Sequence, residues 1–397
     1  MTGVFSTRTP RELAANRLTI AVAAARAARR PLIDLTESNP THAGFDYPPD
    51  LLAPLADARA LVYAPSPLGL REAREAVARE YARQGVEVPF DRVVLTSSTS
   101  DAYSLLFKLL ADAGDEVLVP RPSYPLFEPL AALDVVVPRA YDLDVHGGWT
   151  IDVASVERAI TPRTRALLVV SPNNPTGSFV TAAELDRLAA LCAPRGIAVV
   201  ADEVFADYEL EPGAASRAGR PVARRDVLSF SLGGLSKSIG LPQVKLGWIA
   251  VGGPDAVVRA ALERLEHVCD TYLGVSTPVQ VAAARLLERG AAIRAQIAQR
   301  VAANYGVLKT AGDAAASCGV LRSDGGWYAV LHVPSLESEE ELVLRLLTTD
   351  EVLVHPGYFF DFPRESFLVI SLLPPVHAFA DGVARVLRHF DCTVERP

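Results

Sequence analysis

Residues 166–177 read Ala-Leu-Leu-Val-Val-Ser-Pro-Asn-Asn-Pro-Thr-Gly, and the two halves of this stretch call for different structures. Ala166–Val170 is a continuous apolar, β-branched run, as expected of a strand buried on both faces. Ser171–Gly177 holds two prolines, two asparagines and a glycine, which force a rigid non-helical loop that presents amide side chains at the strand's end. Taken alone, the loop is equally well read as a simple turn. The next helix, Ala182–Leu191, opens with Thr181-Ala-Ala-Glu184, a capping-box pattern.

The same alternation extends in both directions. Val93–Thr96, Glu116–Pro120, Ile197–Ala201, Val227–Ser231 and Leu246–Val251 read as further buried strands, with helix-like segments such as Ala102–Leu110 between them. Alternating β and α elements predict an α/β fold: a large domain with a mostly parallel central sheet and helices on both faces. In such sheets, ligands sit beyond the carboxyl ends of the strands. From about residue 255 a long helical stretch (Asp255–Cys269, then Pro278–Leu308) leads away. Strands near Trp327–Val333 and Phe367–Leu372 then predict a smaller α+β domain. A chain of 397 residues is too long for one core, since single cores stop growing at roughly 250–300 residues. The expected division is a large domain over 46–275 and a small domain formed by 1–45 with 276–397.

Composition narrows the function. Half the residues are hydrophobic and 22% are charged, an ordinary globular profile. A net charge of −8 without a basic stripe argues against a nucleic-acid partner. The apolar stretch Thr19–Ala25, flanked by Arg17 and Arg26, is too short to cross a membrane and is expected to be an amphipathic helix packed on the body. Cys192, Cys269, Cys318 and Cys392 are scattered and form neither a disulfide framework nor a metal-binding pattern, which fits a reducing cytoplasm. Of the 39 basic residues only Lys108, Lys237, Lys245 and Lys309 are lysines. Arginine forms no imine and is never deprotonated, whereas lysine can do both, so each lysine in this arginine-rich chain draws attention.

Two further strand ends carry chemistry. Asp202-Glu203 follows Ile197–Ala201 directly, and a carboxylate there needs a partner. A protonated ring nitrogen is one candidate; a helix cap or a salt bridge is another. Ser231-Leu-Gly-Gly-Leu-Ser-Lys237-Ser follows a strand with a glycine-rich turn and sets a lysine among apolar neighbours, where its amine is pushed toward the uncharged, nucleophilic form. The glycine spacing does not match a phosphate-binding P-loop.

Together with Tyr63-Ala-Pro-Ser-Pro-Leu-Gly69-Leu-Arg-Glu-Ala, Pro120-Arg-Pro-Ser-Tyr124-Pro, Gly247-Trp248 and His355-Pro356-Gly357, these segments resemble the fold-type-I pyridoxal-phosphate enzymes, in particular the class I/II aminotransferases, over nearly the whole chain. The resemblance implies pyridoxal 5′-phosphate as cofactor and amino-acid and keto-acid substrates. Lys237 is then the catalytic Schiff-base lysine, and Asp202 the partner of the ring nitrogen. Asn174 bonds the ring's 3-oxygen and Tyr124 stacks on its face. Thr99 and Ser100 offer backbone amides to the phosphate at a helix N-terminus, with Ser236 and Lys245 beside it. Tyr63 reaches the phosphate of a neighbouring subunit, which implies a homodimer.

The chain departs from this family at four places. Lys245 stands for a phosphate-clamping arginine and loses the bidentate fork. Gly234 replaces a serine. Phe205 replaces a tyrosine that donates to the 3-oxygen, and whether Tyr208 substitutes for it is open. Val369 stands where an arginine is expected to grip the substrate carboxylate, unless the alignment slips there; Arg364 or Arg17 would have to serve instead, or the substrate is held differently. Transamination is the expected reaction. A fold-type-I lyase, cyclase or amino-acid oxidase of specialised metabolism is the alternative, and a cofactor-sensing repressor lacks its basic N-terminal segment.

Overall fold

The computed structural model of the chain describes residues 4–10, 14–315 and 317–394, with side chains through residue 390. After a short strand β1 (Ile33–Asp34), the apolar runs build an eight-stranded sheet. It consists of β2 (Val93–Thr96), β3 (Glu116–Arg121), β4 (Val137–Val145), β5 (Trp149–Ile151), β6 (Thr164–Val170), β7 (Ala198–Asp202), β8 (Ser229–Gly234) and β9 (Gly247–Gly252). Their order across the sheet is β2-β9-β8-β7-β6-β3-β4-β5. The run from β8 through β7, β6 and β3 to β4 is parallel throughout. Only β9, between β8 and β2, and the edge strand β5 run antiparallel to their neighbours.

The helices are α1 (Arg17–Ala27), α2 (Arg71–Arg83), α3 (Thr99–Leu110), α4 (Phe127–Leu133), α5 (Val153–Ala159), α6 (Ala182–Cys192), α7 (Ala214–Arg217), α8 (Leu235–Ser238), α9 (Asp255–Tyr272), α10 (Thr277–Ala314), α11 (Glu339–Arg345) and α12 (Val376–Val394). Side chains along a strand alternate between faces, and both faces here are covered. Val93, Leu95, Leu167, Val169, Val199 and Ala201 enter one core with Val77 of α2, Leu188 of α6 and Leu286 of α10. Val94, Leu168, Val200, Phe230 and Ile249 enter a second core with Tyr103 and Leu106 of α3 and Leu265 of α9. Two-sided burial explains why the strands read as unbroken apolar runs. The predicted capping box is present: Thr181 Oγ1 accepts from the Glu184 amide, and Glu184 Oε2 accepts from the Thr181 amide at 2.8 Å.

A second, antiparallel sheet is made from β10 (Gly319–Val320) and β11 (Tyr328–His332), then, after β12 (Val352–Leu353), from β13 (His355–Pro356) and β14 (Phe367–Ser371), in the order β10-β11-β14-β13. β12 pairs in parallel with β1, placing Ile33 opposite Val352. The whole chain is therefore a large, mostly parallel sheet sandwiched by helices, with a smaller antiparallel sheet beside it.

Two sequence expectations need amendment. α1 forms but packs on the body only lightly: Leu18 touches the core and Val22 is half-buried, while only Ala25 is fully buried and Ile20 is 60% exposed. Leu18, Val22 and Ala25 share the inward face, but the alanines supply little apolar area and Ile20 lies on the opposite side. The edge pair β4 and β5 escaped the sequence reading because β4 mixes Arg139, Asp142 and Asp144 into its run. Among the described residues no helix is long and apolar enough to cross a membrane, and no cluster of histidine, cysteine and carboxylate side chains is arranged to hold a metal ion. Cys192, Cys269 and Cys318 are buried; the side chain of Cys392 lies outside the described residues.

The two sheets meet at the loop quoted first. Gly177 has φ +72°, and its carbonyl accepts the amides of Asp324 (3.1 Å) and Gly325 (2.9 Å) from the segment leading into β11. A Cβ there would lie 1.8 Å from Ser323 Oγ and 2.6 Å from the Gly325 carbonyl oxygen. Gly177→Ala combines left-handed strain with overpacking, so it is expected to lower stability by about 2–4 kcal/mol. The midpoint of denaturant unfolding measures this loss.

Candidate active site

The site lies where β7 and β8 end. Asp202 closes β7, and its side chain turns inward. Oδ1 accepts the Val204 amide at 3.1 Å, and Oδ2 accepts the hydroxyl of Tyr103, a fully buried residue of α3, at 3.2 Å. Burial raises the Asp202 carboxyl to about 6, against the opposing pull of the Val204 amide, the Tyr103 hydroxyl and the charge of Lys237. This carboxylate therefore gains from any cation placed against it.

Lys237 sits on α8, five residues beyond Leu232, which faces Asp202 across the β7–β8 ladder. Burial lowers its amine to about 8, and only the Asp202 charge works in the other direction. The ammonium nitrogen lies 4.9 Å from the Trp327 ring centroid and 5.7 Å from that of Phe205, and these two rings meet edge to face at 5.2 Å. An aromatic wall thus keeps water from one side of the amine.

The loop 171–177 is held by its own bonds. The Ser171 amide donates to the Asp202 carbonyl at 2.9 Å, the Val180 amide to Ser171 Oγ at 3.0 Å, and Thr176 Oγ1 to Asn173 Oδ1 at 3.0 Å. Asn174 takes no part in this bonding: it is buried with its amide oxygen unpartnered. Oxygen and nitrogen of an amide interchange by a half-turn, so this position can equally present an N–H donor. A buried polar group without a partner points to a missing one.

Beside this, Thr96 at the end of β2, Gly234 at the end of β8 and Gly247 at the start of β9 lie in register. Gly247 is tightly enclosed, since a Cβ would come within 2.9 Å of Ser98 and of Thr96 Oγ1. The register sets the N-terminus of α3, capped by Ser98 and beginning Thr99-Ser100, against Gly247, and Gly234 lies beside Ser236; Lys245, two residues before Gly247, is exposed at φ +60°. Helix N-terminal amides, hydroxyls and an ammonium suit an anion.

The remaining expected residues are placed as follows. Tyr124 is 46% exposed and lies close enough to Tyr328 to influence its ionisation, as does Glu37. Tyr63 is 74% exposed on a strip with Leu61 (89%) and Val62 (66%), so its own subunit leaves it largely uncovered. Tyr208 does not replace the hydroxyl missing at Phe205, because its hydroxyl donates to the Lys237 carbonyl behind the site. Val369 is fully buried in β14 between Val330 and His355. Arg17 is engaged with Glu340 (3.0 Å) and Glu341 (2.6 Å) on the surface, and Arg364 is exposed with its guanidinium 5.7 Å from the Phe367 ring. Sequence reasoning missed Tyr103, whose only sequence signal is its position one turn into the helix after β2, and Trp327, which looks like an ordinary strand residue.

Comparison with known proteins fits this geometry. Residues 30–376 match the family model for aminotransferase class I and II. The chain belongs to that family. The Mycobacterium tuberculosis alanine aminotransferase is 28% identical over 366 residues, covering 89% of this chain and 84% of that protein. The Escherichia coli glutamate-pyruvate aminotransferase is 29% identical over 252 residues, 63% of this chain and 62% of that one. Among solved structures, a Thermus thermophilus aspartate aminotransferase variant superposes with a TM-score of 0.82 at 25% identity, over 98% of this chain and all of that one.

Class I/II aminotransferases depend on pyridoxal phosphate, and this aminotransferase has the donors to hold it. Asp202 offers a carboxylate that needs a cation, Asn174 an unpartnered buried amide, α3 an anion-binding N-terminus, and Lys237 a weakly basic amine. A lysine lowered to about 8 is half neutral there, whereas an ordinary lysine is half neutral near 10.5. As pH falls below that midpoint the ammonium form returns and nucleophilicity disappears. Reductive methylation of the cofactor-free protein, followed by peptide mass spectrometry, should modify Lys237 half-maximally near pH 8, and Lys309, whose amine is raised by its hydrogen bond to Glu211, at clearly higher pH.

Proposed function

We propose that Lys237 and Asp202 are the catalytic pair of this aminotransferase and that they move an amino group between an amino acid and a keto acid. The observation carrying this reading is the reciprocal bias of the two groups: a lysine held near neutrality beside a buried carboxylate that calls for a cation, both at the carboxyl ends of parallel strands. Bound between them, pyridoxal phosphate supplies a ring that withdraws electrons from the substrate's α-carbon. Lys237 would hold the cofactor aldehyde through Nζ, and its amine would be the group that carries a proton to and from the substrate's α-carbon. Asp202, anchored by Tyr103 and Val204, keeps the ring nitrogen protonated. The Asn174 amide donates to the 3-oxygen and Tyr124 covers the ring face. Thr99, Ser100, Ser236 and Lys245 hold the phosphate.

The same reading assigns 46–275 to cofactor binding and 1–45 with 276–397 to the small domain. It makes the protein a cytoplasmic homodimer that engages no membrane. Support for the dimer comes from Leu61, Val62 and Tyr63, three consecutive exposed large side chains that a partner surface would cover. Tyr63 then completes the second copy's phosphate site. The lysine–aspartate pair would serve lyase, cyclase or oxidase chemistry equally well, and the altered residues at 369 and 205 are what that alternative draws on; transamination is favoured by the match to the aminotransferase family over residues 30–376.

Borohydride reduction of the loaded protein should trap the cofactor on the peptide containing Lys237, and Lys237→Ala should abolish the adduct; recovery on Lys245 or Lys309 would overturn the assignment. Asp202→Asn should retain the cofactor but lose turnover. Removing a buried charge partner costs about 3–5 kcal/mol, which is at least about a hundredfold in rate; near-normal turnover would make the carboxylate structural. Light scattering should give the mass of a dimer, and a stable cofactor-loaded monomer would contradict the shared site.

A further inference from the structure

We propose that Tyr208 and Arg294 are positioning residues that aim the Lys237 side chain by capping the two carbonyls at the end of its helix. The inference rests on the reading that Lys237 carries the cofactor. α8 is four residues long, and the final carbonyls of a helix have no partners within it. Here both are taken. The Tyr208 hydroxyl donates to the Lys237 carbonyl, with the Ser238 carbonyl 3.4 Å away, and Arg294 Nε donates to the Ser238 carbonyl at 2.9 Å.

The guanidinium is itself fixed. Arg294 Nη2 bonds Glu80 of α2 at 2.7 Å, and its Nε lies 3.4 Å from Asp207. Arg83 of α2 joins the same two carboxylates, meeting Glu80 at 3.0 Å. Arg294 is 9% exposed, and a buried guanidinium is tolerable only when its charge and its N–H groups are both satisfied. Two carboxylates and a helix-end carbonyl satisfy it. The set joins α2, α10 and the segment after β7, and it converges on two peptide groups, those of Lys237 and Ser238.

Gluing α2 to α10 would need the arginines and carboxylates but not the tyrosine. Phenylalanine at 208 would fill the same fully buried space, so the hydroxyl serves the carbonyls alone. The Tyr208 ring also packs against Trp327 with centroids 5.2 Å apart, and Trp327 is the ring nearest the Lys237 nitrogen. Tyr208 therefore constrains Lys237 at its main chain through the hydroxyl and at its amine through Trp327. The other groups facing that amine are Asp202 from β7 and the Phe205 ring. Because misplacing a reacting group by about 1 Å costs on the order of a hundredfold in rate, a lysine on so short a helix depends on these caps.

The test begins with borohydride mapping of the wild-type protein; an adduct elsewhere than Lys237 refutes the underlying reading, whatever the caps do. With the adduct on Lys237, Tyr208→Phe should lower kcat by about tenfold or more with KM for the amino donor nearly unchanged. In the cofactor-free protein it should also move the pH midpoint of Lys237 methylation upward from near 8, as the amine escapes its aromatic wall. Arg294→Lys, which keeps the charge and a donor, should restore most of what Arg294→Met loses in both readouts. A fall in melting temperature with kcat and the methylation midpoint as in wild type would reduce the caps to packing and overturn the proposal. Equal behaviour of the lysine and methionine variants would overturn it for Arg294. If Tyr208→Phe fails to fold, the Arg294 pair decides the outcome.

Discussion

A carboxylate and an amine, each driven toward neutrality by burial and each drawn back toward charge by the other, stand at the open end of a parallel sheet. Everything else around them keeps that balance from collapsing in either direction. If water reached Asp202 its demand for a cation would fade; if it reached Lys237 the amine would return to an ordinary ammonium. The two cores on either face of the sheet, the Tyr103 hydroxyl, and the wall of Phe205 and Trp327 all act to hold the pair in its poised, partly desolvated state.

Most of the large sheet was legible because two-sided burial writes itself into sequence as unbroken apolar runs, and the strand ends were legible because their residues are conformationally special. Boundaries moved by one to three residues, as where β8 continues to Gly234 through glycines that carry no strand propensity. What could not be read was anything fixed by a distant partner. Tyr103 meets Asp202 across 99 residues, and Arg294 meets Glu80 across 214. Neither residue has a local pattern to betray it. α1 is marginal for the opposite reason: its local pattern looked adequate and Leu18 does reach the core, but alanine supplies too little apolar area to bury the helix deeply.

The departures from the family pattern acquire physical meaning in the structure. Phe205 loses a hydroxyl yet gains an edge-to-face contact with Trp327, so the site trades a donor for a drier wall. Gly234 pairs with Gly247 where the strands crowd, and its Cβ would come within 3.2 Å of the Leu246 carbonyl. Val369 is knitted between Val330 and His355, whose imidazole is lowered to about 4 by burial and stays neutral at physiological pH. The strands on either side of Val369 carry no carboxylate; the charge that acts on His355 is that of Asp34, from β1.

The pairing of β1 with β12 sets a timetable for biosynthesis. Ile33 and Asp34 leave the ribosome early, yet the strand that completes them, Val352–Leu353, is made more than three hundred residues later. At about 5–20 residues per second, the N-terminal arm waits on the order of 15–60 s without its neighbour. Within the eight-stranded sheet the longest wait is shorter: β2, which begins at residue 93, pairs only with β9, complete by residue 252. The nascent protein is therefore expected to carry a finished sheet for about 5–20 s, the time needed to make the residues between β9 and β12, while its two ends remain unjoined, and the exposed edge of β1 is open throughout to chaperones and to mispairing alike.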